Sequence, residues 1–344
     1  MAGLLAAVLL FLVFGEGLAR LTHLVDRLNG YGRDLYTAGP SRELPYRLRP
    51  GVSTLYLGTP VRVNGLGFRG PDVAPAPASG VRRILLVGDS VVFGQGVREE
   101  DTVAAVLERT LNADGTRRVE VINGGVPGYD TLAELRLVET AGLPLHPDTL
   151  VVGFSLNDFD PPPAYSPIGV LSHDGGATGI SIVDRSEFIT LLRWLWSYAH
   201  GTLGYQILER ANENQQPGAG PALDLGALDR AIQAQHLRVY HDLASGGGAR
   251  ITPACAALAA FGRAHALPIL VAIFPEQYQV GVAQPDVTPQ QRLLEVCRQT
   301  GLRCLDLQPA FAAAGGALFS DLQHPNAAGH AVAAAAIADA LRAP

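Results

Sequence analysis

Arg83-Ile84-Leu85-Leu86-Val87-Gly88-Asp89-Ser90-Val91-Val92-Phe93-Gly94-Gln95-Gly96 is the stretch whose reading decides the fold. Residues 83–87 are mostly branched or aliphatic and are closed by glycine, the pattern of a short buried strand. A serine then stands at the strand's carboxyl end. In an open parallel sheet that edge is where ligands bind, so Ser90 is placed to meet one. Gly-Asp-Ser alone is also ordinary strand-to-helix turn chemistry. Its weight depends on the residues that stand at the carboxyl ends of the other strands.

Outward from this stretch the chain alternates strand and helix. Residues 119–122, 149–154, 268–274 and 302–307 read as further apolar strands. Between them Asp101 is a candidate cap for a helix carrying Val103, Val106, Leu107 and Leu111 on one face, and a helix is expected over 130–142. Thr252-Pro253 and Thr288-Pro289 each offer a cap followed by proline at the first helical position, and Gly301 can end the second helix. Five apolar strands separated by helices predict an α/β domain over 81–342, its parallel sheet covered on both faces. An insertion over 161–249 interrupts it, with helices near 186–200 (holding Trp194 and Trp196) and 227–243. It reads as extra packing on the core, as a lid or wall over the site, or as a face touching the membrane.

Residues 30–80 are rich in proline, glycine and arginine and read as an extended segment ending in a linker at 71–79. Val61-Arg62-Val63 runs into an Asn64-Gly65 turn. Gly65, Gly67 and Gly70 spell a dinucleotide-binding pattern, but Pro71 comes next and no helix opens, which excludes that reading. Residues 3–15 are apolar without a break, and Glu16 is the first charge; about 20 residues are needed to span a bilayer. A signal peptide, an uncleaved anchor and a soluble amphipathic helix all fit. The helical pattern continues through Leu18, Leu21, Leu24, Val25 and Leu28 with no small-residue cleavage site, which favours an anchor over 1–29. The expected placement is a membrane-anchored chain with its α/β domain periplasmic or extracellular. Arg20, Arg27 and Arg33 on the carboxyl side argue for the cytoplasmic face as the alternative.

The net charge is −6, with no basic tract, which disfavours a nucleic-acid partner. All 26 basic residues are arginine, removing phosphate-loop, Schiff-base and general-base lysines from consideration. Cys255, Cys297 and Cys304 form no metal pattern, and no cofactor is expected. Cys297 and Cys304 flank a helix-to-strand turn and read either as a disulfide or as two buried thiols.

Three more features fall just after strands, on the edge that carries Ser90: Asn123 to Gly128, Ser155-Leu156-Asn157-Asp158, and Asp321-Leu322-Gln323-His324 before the last helix. Acyl transfer by serine needs a base, an orienting acid and donors for the oxyanion. His324 can be the base and Asp321 its orienter. The backbone N–H groups of Ser90 and Gly128 and the side-chain amide of Asn157 can supply the donors. Each piece has a bland alternative, since Asp-x-x-His before a helix is often a cap. Other histidines lack such company; His146, His173, His236, His241 and His265 read as surface or packing residues, and His330 as packed within the last helix.

These four blocks resemble the SGNH, or GDSL, hydrolase superfamily over roughly residues 81–342. Gly88-Asp89-Ser90 matches the first block, Asn123 and Gly128 the second, Ser155-Leu156-Asn157-Asp158 the third, and Asp321 with His324 the last. Serine at 155 departs from that third block's leading glycine and puts the loop behind the oxyanion hole in question. The resemblance implies a flavodoxin-like three-layer αβα fold and metal-free hydrolysis of esters or thioesters. Asn64-Gly65-Leu66-Gly67-Phe68-Arg69-Gly70 after an apolar helix resembles membrane-anchored bacterial members, some of which act on acyl groups of cell-surface carbohydrate. The expected activity is a serine esterase with a small-molecule or carbohydrate ester as substrate, O-acetyl esters among them. The alternatives are an O-acetyltransferase using the same residues and an inactive carbohydrate-binding or assembly module.

Overall fold

The computed structural model describes residues 2–22, 35–159 apart from 57, 114, 116 and 117, and 248–343, together with 164–165, 171–172, 186, 188–189 and 192. The chain divides into two compact units, residues 1–33 with 176–235 and residues 34–175 with 236–344.

In the first unit the apolar amino terminus forms helix α1 (Ala2–Thr22). Glu16 accepts hydrogen bonds from Arg20 Nε at 2.7 Å, Ser186 Oγ at 2.7 Å and the Phe188 N–H at 3.0 Å. The Phe11 and Phe188 rings meet edge-on at 5.3 Å. The unbroken apolar run of residues 3–15 covers only about 20 Å as a helix, against a hydrocarbon core of about 30 Å. Among the described residues no helix is long and apolar enough to cross a membrane. Most of the helix expected over 186–200, Trp194 and Trp196 included, lies outside the described residues. The helix expected over 227–243 lies wholly outside them.

The second unit begins with two antiparallel pairs, β1 (Tyr36–Ala38) with β2 (Tyr46–Leu48) and β3 (Ser53–Tyr56) with β4 (Thr59–Arg62). Asn64 Oδ1 then accepts from the N–H groups of Leu66 and Phe68, both at 3.0 Å, and Gly67 takes φ +87°, which bends Val63 back to face Arg69. The stretch expected to be merely extended is therefore folded. Leu35, Tyr36, Tyr46, Leu48, Val63 and Phe68 sit in the same hydrophobic core as the sheet.

The main sheet holds β5 (Arg82–Gly88), β6 (Val119–Gly125), β7 (Thr149–Phe154), β8 (Ile269–Ile273) and β9 (Arg303–Asp306). They lie in the order β9-β8-β7-β5-β6, every pair parallel. Counted from β5 this is the 2-1-3-4-5 order of a flavodoxin-like sheet, which reverses direction between β5 and β7. Strand period two divides the core. Leu85 and Val87 join a cluster with α4 (Thr131–Leu137), α5 (Gly248–Ala264) and α6 (Thr288–Thr300), while Ile84 and Leu86 join one with α3 (Val103–Asn112), α7 (Gln308–Ala314) and α8 (Ala327–Arg342). These four apolar side chains of β5 are fully buried, and each such burial contributes about 1.5–3 kcal/mol.

Several boundaries differ from expectation for local reasons. Thr102, not Asp101, caps α3, its hydroxyl accepting from the Ala105 N–H at 3.4 Å; Asp101 belongs to a preceding 3₁₀ turn. Helix α5 starts upstream of Thr252 and carries Pro253 as its sixth residue, past the first turn, so the helix runs through a position where proline has no N–H to donate. Val287 occupies the cap of α6, and Thr288 is its first helical residue. Cys297 and Cys304 are joined in a disulfide across the α6–β9 turn, so the two-thiol alternative does not hold; Cys255 is a buried free thiol. His330 packs as expected and also works as a cap, its Nδ1 accepting from the Val103 N–H at 3.0 Å. Burial pushes its pKa down to about 3, which keeps the ring neutral and able to accept.

Candidate active site

The turn after β5 exists because three backbone segments meet there. A Cβ at Gly88 would lie 2.2 Å from Val92 Cγ2, and one at Gly125 would lie 2.1 Å from the Phe93 nitrogen. Both positions must be glycine for α2 (Ser90–Phe93) to sit on the sheet edge. Asp89 starts that helix, its Oδ1 accepting from the Val91 N–H at 2.8 Å. Ser90 is its first residue and is 7% exposed.

From the far end of the chain, the loop before α8 brings His324 to Ser90, with Nε2 2.9 Å from Oγ. Asp321 Oδ1 accepts from the N–H groups of Gln323 and His324, both at 2.8 Å, and Oδ2 lies 2.7 Å from His324 Nδ1. Burial pulls the Asp321 pKa up, but those two N–H groups and the imidazole pull harder, and the net shift is downward. An ionised carboxylate can only accept, so Nδ1 carries the ring proton and Nε2 is left to accept from the Ser90 hydroxyl. Asp321 does not cap the following helix. Asn326 does, with Oδ1 accepting from Ala328 and Gly329. The loop is clamped by Ser320 N–H to His324 O at 2.8 Å and by Gln277 N–H to Leu322 O at 2.9 Å.

Gly128 adopts φ +81°, in a loop held where the Val126 N–H donates to Gly88 O and Tyr46 Oη donates to Pro127 O at 2.7 Å. Asn157 lies in a 3₁₀ turn (Leu156–Phe159) directly after β7; its side chain is outside what the structure describes. Ser155, at the position where glycine was expected, donates from Oγ to Asp89 Oδ1 at 3.0 Å. The departure therefore ties the third block to the residue that caps the serine helix.

Three further features include side chains to which the sequence assigned no role. Arg69 is buried and donates to three carbonyls of the loop after Ser90: Phe93 O at 2.6 Å, Gly94 O at 2.8 Å and Val97 O at 2.6 Å. Its guanidinium also stacks on Phe93 at 4.6 Å. Burial lowers its pKa to about 10, so it stays charged at neutral pH. Gln95 accepts from Tyr56 Oη at 3.2 Å and packs its amide beside His324. Behind the Asn157 turn, Glu134 and Asp158 are buried, and among the described residues neither oxygen of Glu134 nor Asp158 Oδ1 has a hydrogen-bond partner. Among the described residues no group of His, Cys, Asp and Glu is arranged to hold a metal.

With this geometry in place, comparison with known families gives the class. The GDSL-like Lipase/Acylhydrolase family model matches residues 86–332, and the chain belongs to that family. It is a hydrolase acting on esters. No curated protein sequence matches the chain. Similar solved structures include Axe2, an acetylxylan esterase from Geobacillus stearothermophilus (15% identity, TM-score 0.42, covering 76% of this chain and 95% of that one). The acetyl xylan esterase AlAXEase is similar at 13% identity and TM-score 0.42, over 75% and 99% of the two chains. The lipase/acylhydrolase from Enterococcus faecalis is similar at 17% and 0.37, over 76% and 95%.

The buried carboxyls set a pH dependence. Burial, then the charges of Asp89 and Asp130, raises the Glu134 pKa well above the usual carboxylate range; burial, then Glu134 and Asp89, does the same for Asp158. A carboxyl whose folded pKa is raised holds a proton that the unfolded chain releases. Its stabilisation is complete below about pH 4.3 and is lost as pH rises toward the folded value. Melting curves from about pH 5 to 8 are expected to show stability falling with pH, by up to about 1.4 kcal/mol per unit for each group titrating, and less steeply in Glu134→Gln. Parallel curves for the two proteins would contradict the assignment.

Proposed function

We propose that this chain is a serine esterase in which Ser90 is the nucleophile, His324 the acid–base and Asp321 the residue that holds the imidazole. The observation that carries the reading is the unbroken hydrogen-bond chain from Ser90 Oγ through His324 to Asp321, at 2.9 and 2.7 Å. As Ser90 Oγ attacks the acyl carbon, His324 Nε2 takes the hydroxyl proton and the imidazolium is stabilised by Asp321. The carbonyl oxygen becomes an oxyanion, for which the N–H groups of Ser90 and Gly128 and the amide of Asn157 are the proposed donors. Each such donor typically contributes about 2.7–4 kcal/mol to the transition state. His324 then returns its proton to the leaving alkoxide, and a water molecule repeats the sequence on the acyl-enzyme.

The proposed substrate is an acyl ester carried on carbohydrate. That class is supported by the resemblance of residues 64–70 to surface-acting members and by the exposed position of the His324–Asp321 side of the site, where the Asp321 side chain is 52% exposed. A bulky alcohol can approach there. Ser90→Ala is expected to lower kcat/KM for p-nitrophenyl acetate by at least about 10⁴-fold while leaving the melting temperature unchanged. Equal rates in the two proteins would remove the assignment.

We further propose that residues 1–29 hold the chain at a membrane surface, with the esterase unit periplasmic or extracellular. Leu10, Phe11, Val13, Phe14, Leu18 and Leu21 expose their side chains along α1, and clustered apolar exposure of this kind marks an interaction or membrane surface. The full chain is expected to co-float with lipid vesicles, and a chain lacking residues 1–29 to stay in the soluble fraction; a full chain that does not float with vesicles would refute the tether.

A further inference from the structure

The two backbone donors proposed for the oxyanion stand on different segments, Ser90 at the start of α2 and Gly128 in the loop after β6. Such donors act together only when both lie about 2.7–3.1 Å from one oxygen position, and a misplacement of about 1 Å can cost about 10²-fold in rate. At their base the two segments are joined by the Val126 N–H, which donates to Gly88 O at 2.9 Å. A second connection spans them further out. Its middle comes from residues 36–56, upstream of the residues 86–332 that the family model matches.

This connection is a row of aromatic rings. Tyr129, the neighbour of Gly128, lies 5.2 Å from Tyr46 in β2, and Tyr46 lies 5.5 Å from Tyr36 in β1. Tyr36 lies 6.5 Å from Tyr56 in β3, and Tyr56 lies 5.5 Å from Phe93, the last residue of α2. The Tyr46–Tyr129 pair is tilted and the others meet edge-on, the arrangement aromatic pairs prefer. Every ring of the row is buried in one hydrophobic cluster. A row packed at interior density transmits position, because no ring shifts without displacing the next.

Hydrogen bonds fasten both ends. Tyr46 Oη donates to Pro127 O at 2.7 Å and Tyr129 Oη donates to Tyr46 O, so β2 is tied to the residues on either side of Gly128. At the other end Tyr56 Oη donates to Gln95 Oε1 at 3.2 Å, and the Gln95 N–H donates to Ser90 O at 3.0 Å. Burial raises the pKa values of Tyr36, Tyr46 and Tyr129, so these hydroxyls keep their protons and stay donors. Arg69 and Asn123 pair as an isolated antiparallel bridge, which anchors the end of the same amino-terminal segment on the edge strand β6.

We propose that Tyr36, Tyr46 and Tyr56 are positioning residues, which hold the N–H groups of Ser90 and Gly128 at the spacing the oxyanion needs. The proposal rests on the esterase reading. It gives residues outside the matched family region a part in transition-state stabilisation rather than in substrate binding. Disturbing the row therefore lowers kcat and leaves KM in place, since the oxyanion forms only in the transition state.

The test is steady-state hydrolysis of p-nitrophenyl acetate by the full chain and its variants. Each rate is divided by the amount of Ser90 that a fluorophosphonate probe labels at completion, which removes any unfolded fraction. Tyr46→Phe deletes the donor to Pro127 O and is expected to lower kcat by about 10-fold or more, with KM within about twofold of wild type. Tyr36→Leu breaks the row at its middle and is expected to do the same. Tyr36→Phe keeps the ring and is expected to hold kcat within about threefold. Leu258→Ala, which opens a cavity elsewhere in the same cluster, is also expected to hold kcat within about threefold. Unchanged kcat in Tyr46→Phe would overturn the proposal while leaving the esterase reading intact, and this variant serves if Tyr36→Leu does not fold. A raised KM at unchanged kcat, or a loss in Leu258→Ala or Tyr36→Phe as large as that in Tyr36→Leu, would overturn it equally. Absence of turnover in the wild type would overturn the esterase reading, and the proposal with it.

Discussion

The hydrogen bond between Ser90 Oγ and His324 Nε2 joins residues 234 positions apart, and most of the second unit serves to make that contact possible. Ser90 is brought to the sheet edge by a turn that tolerates no side chain at Gly88 or Gly125. His324 arrives on a loop pinned to the strand β8 exit through Gln277 and to the start of α8 through Asn326. Neither residue would meet the other in a sheet of different order. In the observed order β5 is flanked by β6 and β7, so the loops after β5, β6 and β7 open side by side. The parallel direction of all five strands puts the exit of β8 on the same rim.

Around this contact the protein places charge unevenly. Asp321 is half exposed and kept ionised by two backbone N–H groups and the imidazole ring. A few residues behind the loops that follow β6 and β7, Glu134 and Asp158 are sealed from water, and their pKa values are displaced in the opposite direction. Between the two, Asp89 receives the Ser155 hydroxyl and the Val91 N–H. Carboxyl groups within one region thus have opposite protonation preferences, set by solvent access and by the number of N–H donors each receives. Arg69 adds a buried positive charge beneath the loop after Ser90 and fixes that loop by its carbonyls rather than through a carboxylate.

Much of this is legible from residue patterns. Five apolar runs predict the five strands of the sheet to within a few residues; β5, β6, β7 and β8 are largely buried and write a near-continuous apolar signature, while the edge strand β9 is only partly buried. Ser90, Asp321 and His324 are legible because each stands just past a strand or before a helix, where local turn chemistry is readable. The less legible features depend on contacts between distant segments. Arg69 is one of 26 arginines, and only the fold shows that three carbonyls from residues 93–97 surround it. Glu134 sits in an amphipathic helix at a position where a solvated charge is the ordinary expectation, and its burial comes from how α4 lies on the sheet. Residues 35–80 lack periodicity because their elements are three or four residues long, too short to reveal a pattern, although their tyrosines and leucines enter the core. The disulfide stays one of two readings in the sequence because spacing alone does not set the distance between the ends of a helix and a strand.

The most direct measurement of the central contact is covalent capture of the serine. Incubating the full chain with a fluorophosphonate probe and mapping the adduct by peptide mass spectrometry should place it on Ser90. The adduct should be absent from His324→Ala, because the hydroxyl then has no base to take its proton. A wild-type chain that remains unlabelled, or a His324→Ala chain labelled as fast as wild type, would contradict the contact's role.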